Sequence, residues 1–375
     1  MSAIYIHIPF CKQKCIYCNF YSVRTDSETL KLYVDGLLKE IELRKNYLFD
    51  KQIETIYFGG GTPSLLDPVQ INQILNKIAV HFDISFVDEI TMEANPDCLS
   101  VDYLKQLKEN TPINRLSIGV QSFFDDDLRF LNRKHSAEQS IQSIKTAQDI
   151  GFHNLSIDLI YGLPSLSCEK WTENLHKCFN LNIPHISAYA LTVEPNTALD
   201  TQIRKGKTPE LDEEQMVKHF HILTSLMETN GYEQYEISNF AKQGMYSKHN
   251  SSYWNRTPYL GLGASAHSFD GHSRQWNVAD VHSYLNSLQN NALAFEREEL
   301  SFQDNLNEYL MTGLRTSSGI NKAFLDTHFE EAVPLLKQNI DKYIQRKLIV
   351  EDEHAYKLTL EGKLFADRIA GELFV

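Results

Sequence analysis

Residues 3 to 18 read Ala3-Ile4-Tyr5-Ile6-His7-Ile8-Pro9-Phe10-Cys11-Lys12-Gln13-Lys14-Cys15-Ile16-Tyr17-Cys18. The first six are mostly β-branched or aromatic, the make-up of a short buried strand. Pro9 cannot donate to a central ladder, so the strand stops there and the three thiols lie on the loop after it. A strand whose carboxyl end opens into a chemically unusual loop is the unit that recurs along the first two thirds of the chain.

Further strands are predicted at Glu54 to Phe58, Glu89 to Glu93, Arg115 to Val120, Asn154 to Ile160 and His185 to Leu191. Apolar residues near helical spacing predict helices over Leu30 to Leu48, Val69 to Phe82, Val101 to Glu109, Ala137 to Ile150 and Glu169 to Leu181, with Glu213 to Thr229 after the last strand. This alternation is the pattern of parallel α/β, either a doubly wound sheet or a complete or partial barrel. The unusual residues decide between them. Gly59-Gly60-Gly61-Thr62-Pro63 follows the second strand, Glu93-Ala94-Asn95-Pro96 ends the third, Gln121 follows the fourth, and Asp158 lies in the fifth with Tyr161-Gly162-Leu163-Pro164 behind it. Carboxyl ends that all carry such residues converge on one mouth, which suits a barrel better than an open sheet with a single switch point.

The chain has 375 residues, enough for two or three domains. Gly and Pro number only 17 and 11, and 42% of residues are apolar, which excludes disordered and collagen-like readings. Asp and Glu outnumber Lys and Arg by 49 to 36, and the net charge of −13 argues against binding nucleic acid or anionic lipid through bulk charge. The longest run free of Asp, Glu, Lys and Arg is 16 residues, Cys178 to Val193, short of the roughly 20 apolar residues of a membrane span. No transmembrane segment is expected, although peripheral membrane contact stays open. The amino-terminal residues lack the basic region and cleavage site of a signal peptide, so a cytoplasmic location with reduced thiols is expected.

Residues 1–230 are expected to form the barrel domain. Residues 231–299 are expected to be an aromatic-rich, loop-like connecting extension. Residues 300–375 read as helices followed by a short hairpin, Leu348-Ile349-Val350 and Tyr356-Lys357-Leu358 around an acidic turn, which suggests a winged-helix-like domain. Such domains often bind DNA, but this one carries 9 Lys or Arg against 12 Asp or Glu, so no nucleic-acid partner is expected.

The spacing C-x3-C-x2-C lets one loop offer three thiolates to a 4Fe-4S cluster and leaves the fourth iron without a protein ligand. A Cys3His zinc site using His7, and cysteines gathered by accident, are the competing readings. Cys98, Cys168 and Cys178 are scattered and read as ordinary small apolar residues. The triple glycine lets a ligand approach the main chain closely, although alone it could equally be a tight turn or a phosphate cradle.

Taken with Gly119-Val120-Gln121-Ser122, Leu131-Asn132-Arg133, Asp158-Leu159-Ile160-Tyr161-Gly162-Leu163-Pro164 and Leu358-Thr359-Leu360-Glu361-Gly362, these motifs make the chain resemble the radical S-adenosylmethionine enzymes. Within them it is similar over nearly its whole length to the oxygen-independent coproporphyrinogen III oxidases. The resemblance implies a partial (β/α)6 barrel, a 4Fe-4S cluster on Cys11, Cys15 and Cys18, and S-adenosylmethionine held by Tyr5, Tyr17, Gly60, Gly61, Thr62, Glu93, Gln121, Arg133 and Asp158. One departure matters. The oxidase has a fourth cysteine two residues after the third, where this chain has Phe20. With His249-Asn250-Ser251-Ser252-Tyr253-Trp254, this looks like the HemW branch of that group, its heme chaperones. The implied partners are heme, with His249 as a heme contact, and an unnamed heme-acceptor protein. The alternative is an active coproporphyrinogen oxidase.

Overall fold

The computed structural model describes residues 1–24 and 26–375. All six expected strands form: β1 (Ser2–Ile8), β2 (Ile53–Gly60), β3 (Glu89–Ala94), β4 (Arg115–Gln121), β5 (Asn154–Tyr161) and β6 (His185–Ala190). They pair in that order, all parallel. The intervening helices are α1 (Ser27–Leu43), α2 (Pro68–His81), α3 (Val101–Asn110), α4 (Asp125–Phe130), α5 (Ala137–Ile150) and α6 (Cys168–Asn180), followed by α7 (Ala198–Arg204) and α8 (Glu213–Thr229). Side-chain caps set several starts: Asp67 and Ser136 each close a reciprocal capping box with a Gln three residues on. Helix α1 ends at Leu43 rather than Leu48, because Arg44 leaves helical geometry as the C-cap. Helices α4 and α7, of six and seven residues, are too short to show a periodic apolar stripe.

Alternation along the strands splits the chemistry between the two faces of the sheet. Ile4, Ile6 and Ile8 of β1, with Ile56 and Phe58 of β2, share the buried core with Leu37 and Ile41 of α1 and Ile71, Ile74 and Ile78 of α2. The other face is polar. Register aligns Tyr5 with Tyr57, Tyr57 with Thr91, and Thr91 with Arg115; one step along, Glu93 aligns with Ser117, Ser117 with Ser156, and Ser156 with His185. Closed barrels of this kind usually fill that interior with Val, Ile and Leu.

Residues 231–299 are not loop-like, which corrects the reading from composition. They form β7 (Glu233–Gln234), β8 (Asn239–Ala241), α9 (Lys248–Trp254), β9 (Tyr259–Leu262), β10 (His267–Phe269), β11 (Ser273–Asn277), α10 (Val281–Gln289) and β12 (Phe295–Glu299). Strand β9 adds parallel to β1, and β8 adds antiparallel to β6. The result is one twelve-stranded sheet in the order β12-β11-β10-β9-β1-β2-β3-β4-β5-β6-β8-β7. The barrel is therefore partial and not closed.

A second core belongs to α11 (Phe302–Arg315), β13 (Ile320–Asn321), α12 (Lys322–His328), α13 (Val333–Gln345), β14 (Ile349–Glu351), β15 (Ala355–Leu358), α14 (Leu360–Lys363) and α15 (Ala366–Leu373). Its three strands pair as β13-β15-β14, the expected helices-plus-hairpin arrangement. The Arg256 guanidinium donates to the Asn305 backbone and side-chain oxygens at 2.8 and 2.6 Å, tying this unit to the end of α9.

The sheet extension is fastened to α1 by a buried polar network. Glu40 accepts from Arg44 at 2.9 Å, Asn277 at 2.7 Å, the Gly263 backbone at 2.7 Å and the Tyr284 hydroxyl at 2.6 Å. Arg44 also donates to Gln275 at 2.9 Å and Asn277 at 2.6 Å. Removing one partner strands a buried charge, which typically costs about 3 to 5 kcal/mol. Arg44→Ala should lower the urea midpoint accordingly, whereas Lys45→Ala, one residue on at the surface, should leave it almost unchanged.

Candidate functional site

The cysteine loop is closed at its base. The Cys11 N–H donates to Val23 O at 3.0 Å and the Val23 N–H to Pro9 O at 2.8 Å. Its tip is clasped from the β4–α5 connection: Asn132 donates to Lys14 O at 2.8 Å, and Gln13 donates back to the Asn132 side chain at 2.8 Å. Asn132 adopts φ 58°, a left-handed conformation that Asn tolerates better than most residues. The next residue, Arg133, donates to Cys15 Sγ at 3.4 Å, Asn95 Oδ1 at 2.6 Å and Gly119 O at 2.7 Å.

The glycine loop meets the cysteine loop at the ends of β1 and β2. Gly61 donates to Ile8 O at 2.9 Å, and a Cβ on Gly61 would sit 2.7 Å from Phe10 O. Gly60 has φ 109°, and a Cβ there would meet the His7 ring at 2.6 Å. Thr62 donates to Cys11 Sγ at 3.6 Å and accepts from Asn95 at 3.1 Å.

Two carboxylates complete the walls. Glu93 accepts from the Tyr57 hydroxyl at 2.8 Å and the Gly60 backbone at 3.1 Å. Burial pushes its pKa up to about 7, with the Tyr57 bond opposing and Asp158 adding to the shift. Asp158 is likewise pushed up to about 6 by burial, against the pull of Ser187 and Arg115.

Cys11, Cys15, Cys18 and Tyr17 open onto one cavity of about 410 Å³, as do Gly60, Gly61 and Thr62. Glu93, Gln121, Arg133 and Asp158 line the same space. Tyr5 and His249 do not reach it. The Tyr5 hydroxyl is 3.0 Å from His7 Nδ1, and its ring stacks on Tyr57 at 6.0 Å. His249 is fully buried, with Nδ1 2.8 Å from the Thr55 hydroxyl and Nε2 2.9 Å from the Tyr253 hydroxyl. Both its ring nitrogens are engaged, so a heme contact through His249 requires it to leave Thr55 and Tyr253.

The donor set fits a 4Fe-4S cluster. Three half-buried thiols share one loop, with the Thr62 hydroxyl donating to Cys11 Sγ and the Arg133 guanidinium to Cys15 Sγ. Cys18 is held above the usual thiol range by burial, and by Cys15 and Cys11, so a cation beside it would favour its thiolate. The zinc alternative loses its fourth ligand: His7 is bonded to the Tyr5 hydroxyl and lies 3.2 Å from Tyr21 O.

Residues 5–178 match the Radical SAM superfamily, and residues 300–365 match the HemN C-terminal domain. The chain is 36% identical over 374 residues to the heme chaperone HemW of Bacillus subtilis (strain 168), covering 99% of this chain and 98% of that one. This chain belongs to the HemW family. The HemW of Escherichia coli (strain K12) is 31% identical over 380 residues, covering 100% and 98% of the two chains. The solved Escherichia coli coproporphyrinogen III oxidase, HemN, described as a radical SAM enzyme, superposes with a TM-score of 0.85 at 24% identity, covering 100% of this chain and 90% of that one. That likeness shows the fold: the HemW-family chain has the partial barrel and C-terminal domain of HemN.

The sequence motifs do not announce the roles of Tyr57, which donates to Glu93, of Asn132, which clasps the cysteine loop, or of Ser117, which lines the cavity and donates to Asp158 at 3.4 Å. Ser117 was recoverable from strand alternation, since it lies two residues from Gly119 on the same face of β4. Gly60→Ala combines positive φ, a strain of about 1 to 3 kcal/mol, with collision against His7. It should lower the thermal midpoint clearly more than Gly271→Ala, where φ is 98° but nothing lies within 4 Å.

Proposed function

We propose that this chain binds heme and passes it to an acceptor protein, with a 4Fe-4S cluster and S-adenosylmethionine resident in the cavity. The observation that carries the reading is Phe20. The coproporphyrinogen oxidases have a cysteine at this position; here a phenyl ring 64% exposed lines the cavity mouth. Tyr189 of β6 lines the same cavity and is 43% exposed. An aromatic rim suits a flat apolar ligand such as heme and supplies no thiol beside the cluster loop. Full-length likeness to proteins named heme chaperones supports the same reading.

Within the cavity, Cys11, Cys15 and Cys18 would hold the cluster. When bound, such a cluster supplies an electron to the sulfonium of an adjacent S-adenosylmethionine. Arg133, already fixed by Asn95 and Gly119 O, would pair with the methionine carboxylate. Main-chain oxygens of the glycine loop would accept from the N–H groups of the methionine amino group, and Glu93 would accept from a ribose hydroxyl.

Histidines of the aromatic segment could meet heme iron. His249 would have to leave Thr55 and Tyr253, whereas His267 and His272 are exposed, and His267 stacks on Trp276 at 6.0 Å. His267→Ala should therefore lower heme affinity more than His249→Ala does, as read from Soret titrations; the reverse order would assign the iron to α9.

Anaerobic reconstitution with iron and sulfide should give a brown chromophore that Cys11→Ser, Cys15→Ser and Cys18→Ser each abolish and Cys98→Ser retains. Arg133→Ala should weaken S-adenosylmethionine about tenfold to a hundredfold, the range for losing a charge-assisted bond in a partly desolvated site. The functional test is heme titration beside an anaerobic coproporphyrinogen III assay. Saturable heme binding with no protoporphyrinogen above the no-enzyme control is expected. Sustained turnover would replace this reading with the oxidase.

A further inference from the structure

The two expected cofactor residues that miss the cavity lie together directly behind its wall. The His249 ring stacks on Tyr57 at 4.9 Å and 25°, and the Tyr5 ring stacks on the same Tyr57 at 6.0 Å and 23°. Tyr57 is thus held by two aromatic neighbours, and its hydroxyl donates to Glu93. Helix α9 is in turn anchored to the two strands that carry these residues. Its Lys248 and His249 N–H groups donate to Glu89 of β3 at 2.9 and 3.0 Å, and His249 is bonded to Thr55 of β2. Thr55 and Tyr57 are two residues apart on one strand, as Glu89 and Glu93 are four apart on the next, so both anchors lie on the face that lines the barrel interior.

We propose that His249 and Tyr57 are positioning residues for Glu93, so that helix α9 sets the affinity of the cavity for S-adenosylmethionine. The inference rests on Glu93 acting as a ligand of that cofactor. A ligand or partner that draws His249 away from Tyr57 is then felt at the cavity, and occupancy of the cavity is felt equally at α9, since coupling between two sites is reciprocal. His249 itself stays uncharged, its pKa lowered to about 3 by burial and by Arg115, so the link runs through stacking and neutral hydrogen bonds.

The pH dependence separates positioning from general weakening of the fold. Groups facing Glu93 are Tyr57 from β2, Asp158 from β5, Tyr5 from β1 and Tyr253 from α9. The Tyr57 bond lowers the Glu93 pKa against the effect of burial. Below its pKa a protonated Glu93 accepts poorly, so parent affinity should fall as pH drops through about 7. Removing the Tyr57 hydroxyl takes away a lowering influence, and the midpoint must move up.

The test is calorimetric titration of S-adenosylmethionine into reconstituted protein across that pH range, for the parent, Tyr57→Phe and Thr55→Val. Phenylalanine keeps the ring between its neighbours, and valine removes only the imidazole's partner. Tyr57→Phe should weaken binding about fivefold to twentyfold at neutral pH and raise the midpoint. Thr55→Val, remote from the cavity, should move both in the same direction by less. Parent affinity and parent midpoint in both variants, with unchanged thermal midpoints, would overturn the coupling while leaving the cofactor site standing. A parent that binds no S-adenosylmethionine would remove the assignment of Glu93 and the coupling with it. Heme plays no part in the measurement, so heme binding is judged separately.

Discussion

The cavity depends on how closely the ends of β1 and β2 approach each other. Parallel register puts Ile8 beside Gly60, and one residue further the Gly61 N–H reaches Ile8 O at 2.9 Å while its missing Cβ leaves room for the Phe10 backbone. That contact fuses two loops that are about 50 residues apart in sequence. Once fused, Thr62 stands against Cys11, and Asn95 can join Thr62 to Arg133, which in turn reaches Cys15. A side chain at position 61 would push the loops apart and break this chain of contacts at its first link.

The open barrel imposes a second condition. Its inner face carries Thr91, Arg115, Ser117, Ser156, His185 and Ser187, all buried, and buried polar groups are tolerable only when bonded. Much of that bonding is local, such as Ser156 with His185 at 2.6 Å, and His185 with the Tyr235 hydroxyl at 2.7 Å. Arg115 is the exception: two of its guanidinium nitrogens have no hydrogen-bond partner among the described residues, and its nearest carboxylate is Glu89 at 3.7 Å, which the α9 backbone N–H groups hold while the α9 imidazole goes to Thr55. The aromatic segment therefore helps complete the barrel interior and widens the sheet on both sides, through β9 beside β1 and β8 beside β6. Glu89 and Thr55, which anchor the motif helix, also bring it into ring contact with Tyr57 behind the cavity wall.

Much of this architecture was legible in the sequence, because parallel strands and amphipathic helices carry strong local periodicity. Chemistry at strand ends was legible for the same reason: once the strands are placed, Glu93, Gln121 and Asp158 must share a mouth. Residues 231–299 were opaque. Their strands are two to five residues long, and β9 finds its partner β1 more than 250 residues earlier, a pairing that no local pattern announces. The surroundings of His249 were opaque on similar grounds. Its residues alone read as a loop histidine, the heme contact being implied only by family resemblance, and of its bonds to Thr55 and Tyr253 the first joins segments 194 residues apart. The grouping of Cys11, Cys15 and Cys18 needed no tertiary information, since one loop carries all three thiols that open onto the cavity.

In the proposed function one cavity would hold both a cluster with an iron free of protein ligands and S-adenosylmethionine beside it. Electron paramagnetic resonance of the reduced, reconstituted protein tests this most directly, recorded before and after adding S-adenosylmethionine. A 4Fe-4S signal whose g values shift on addition is expected, since an iron without a protein ligand would be open to the added cofactor. A cluster signal that saturating S-adenosylmethionine leaves unchanged would contradict it.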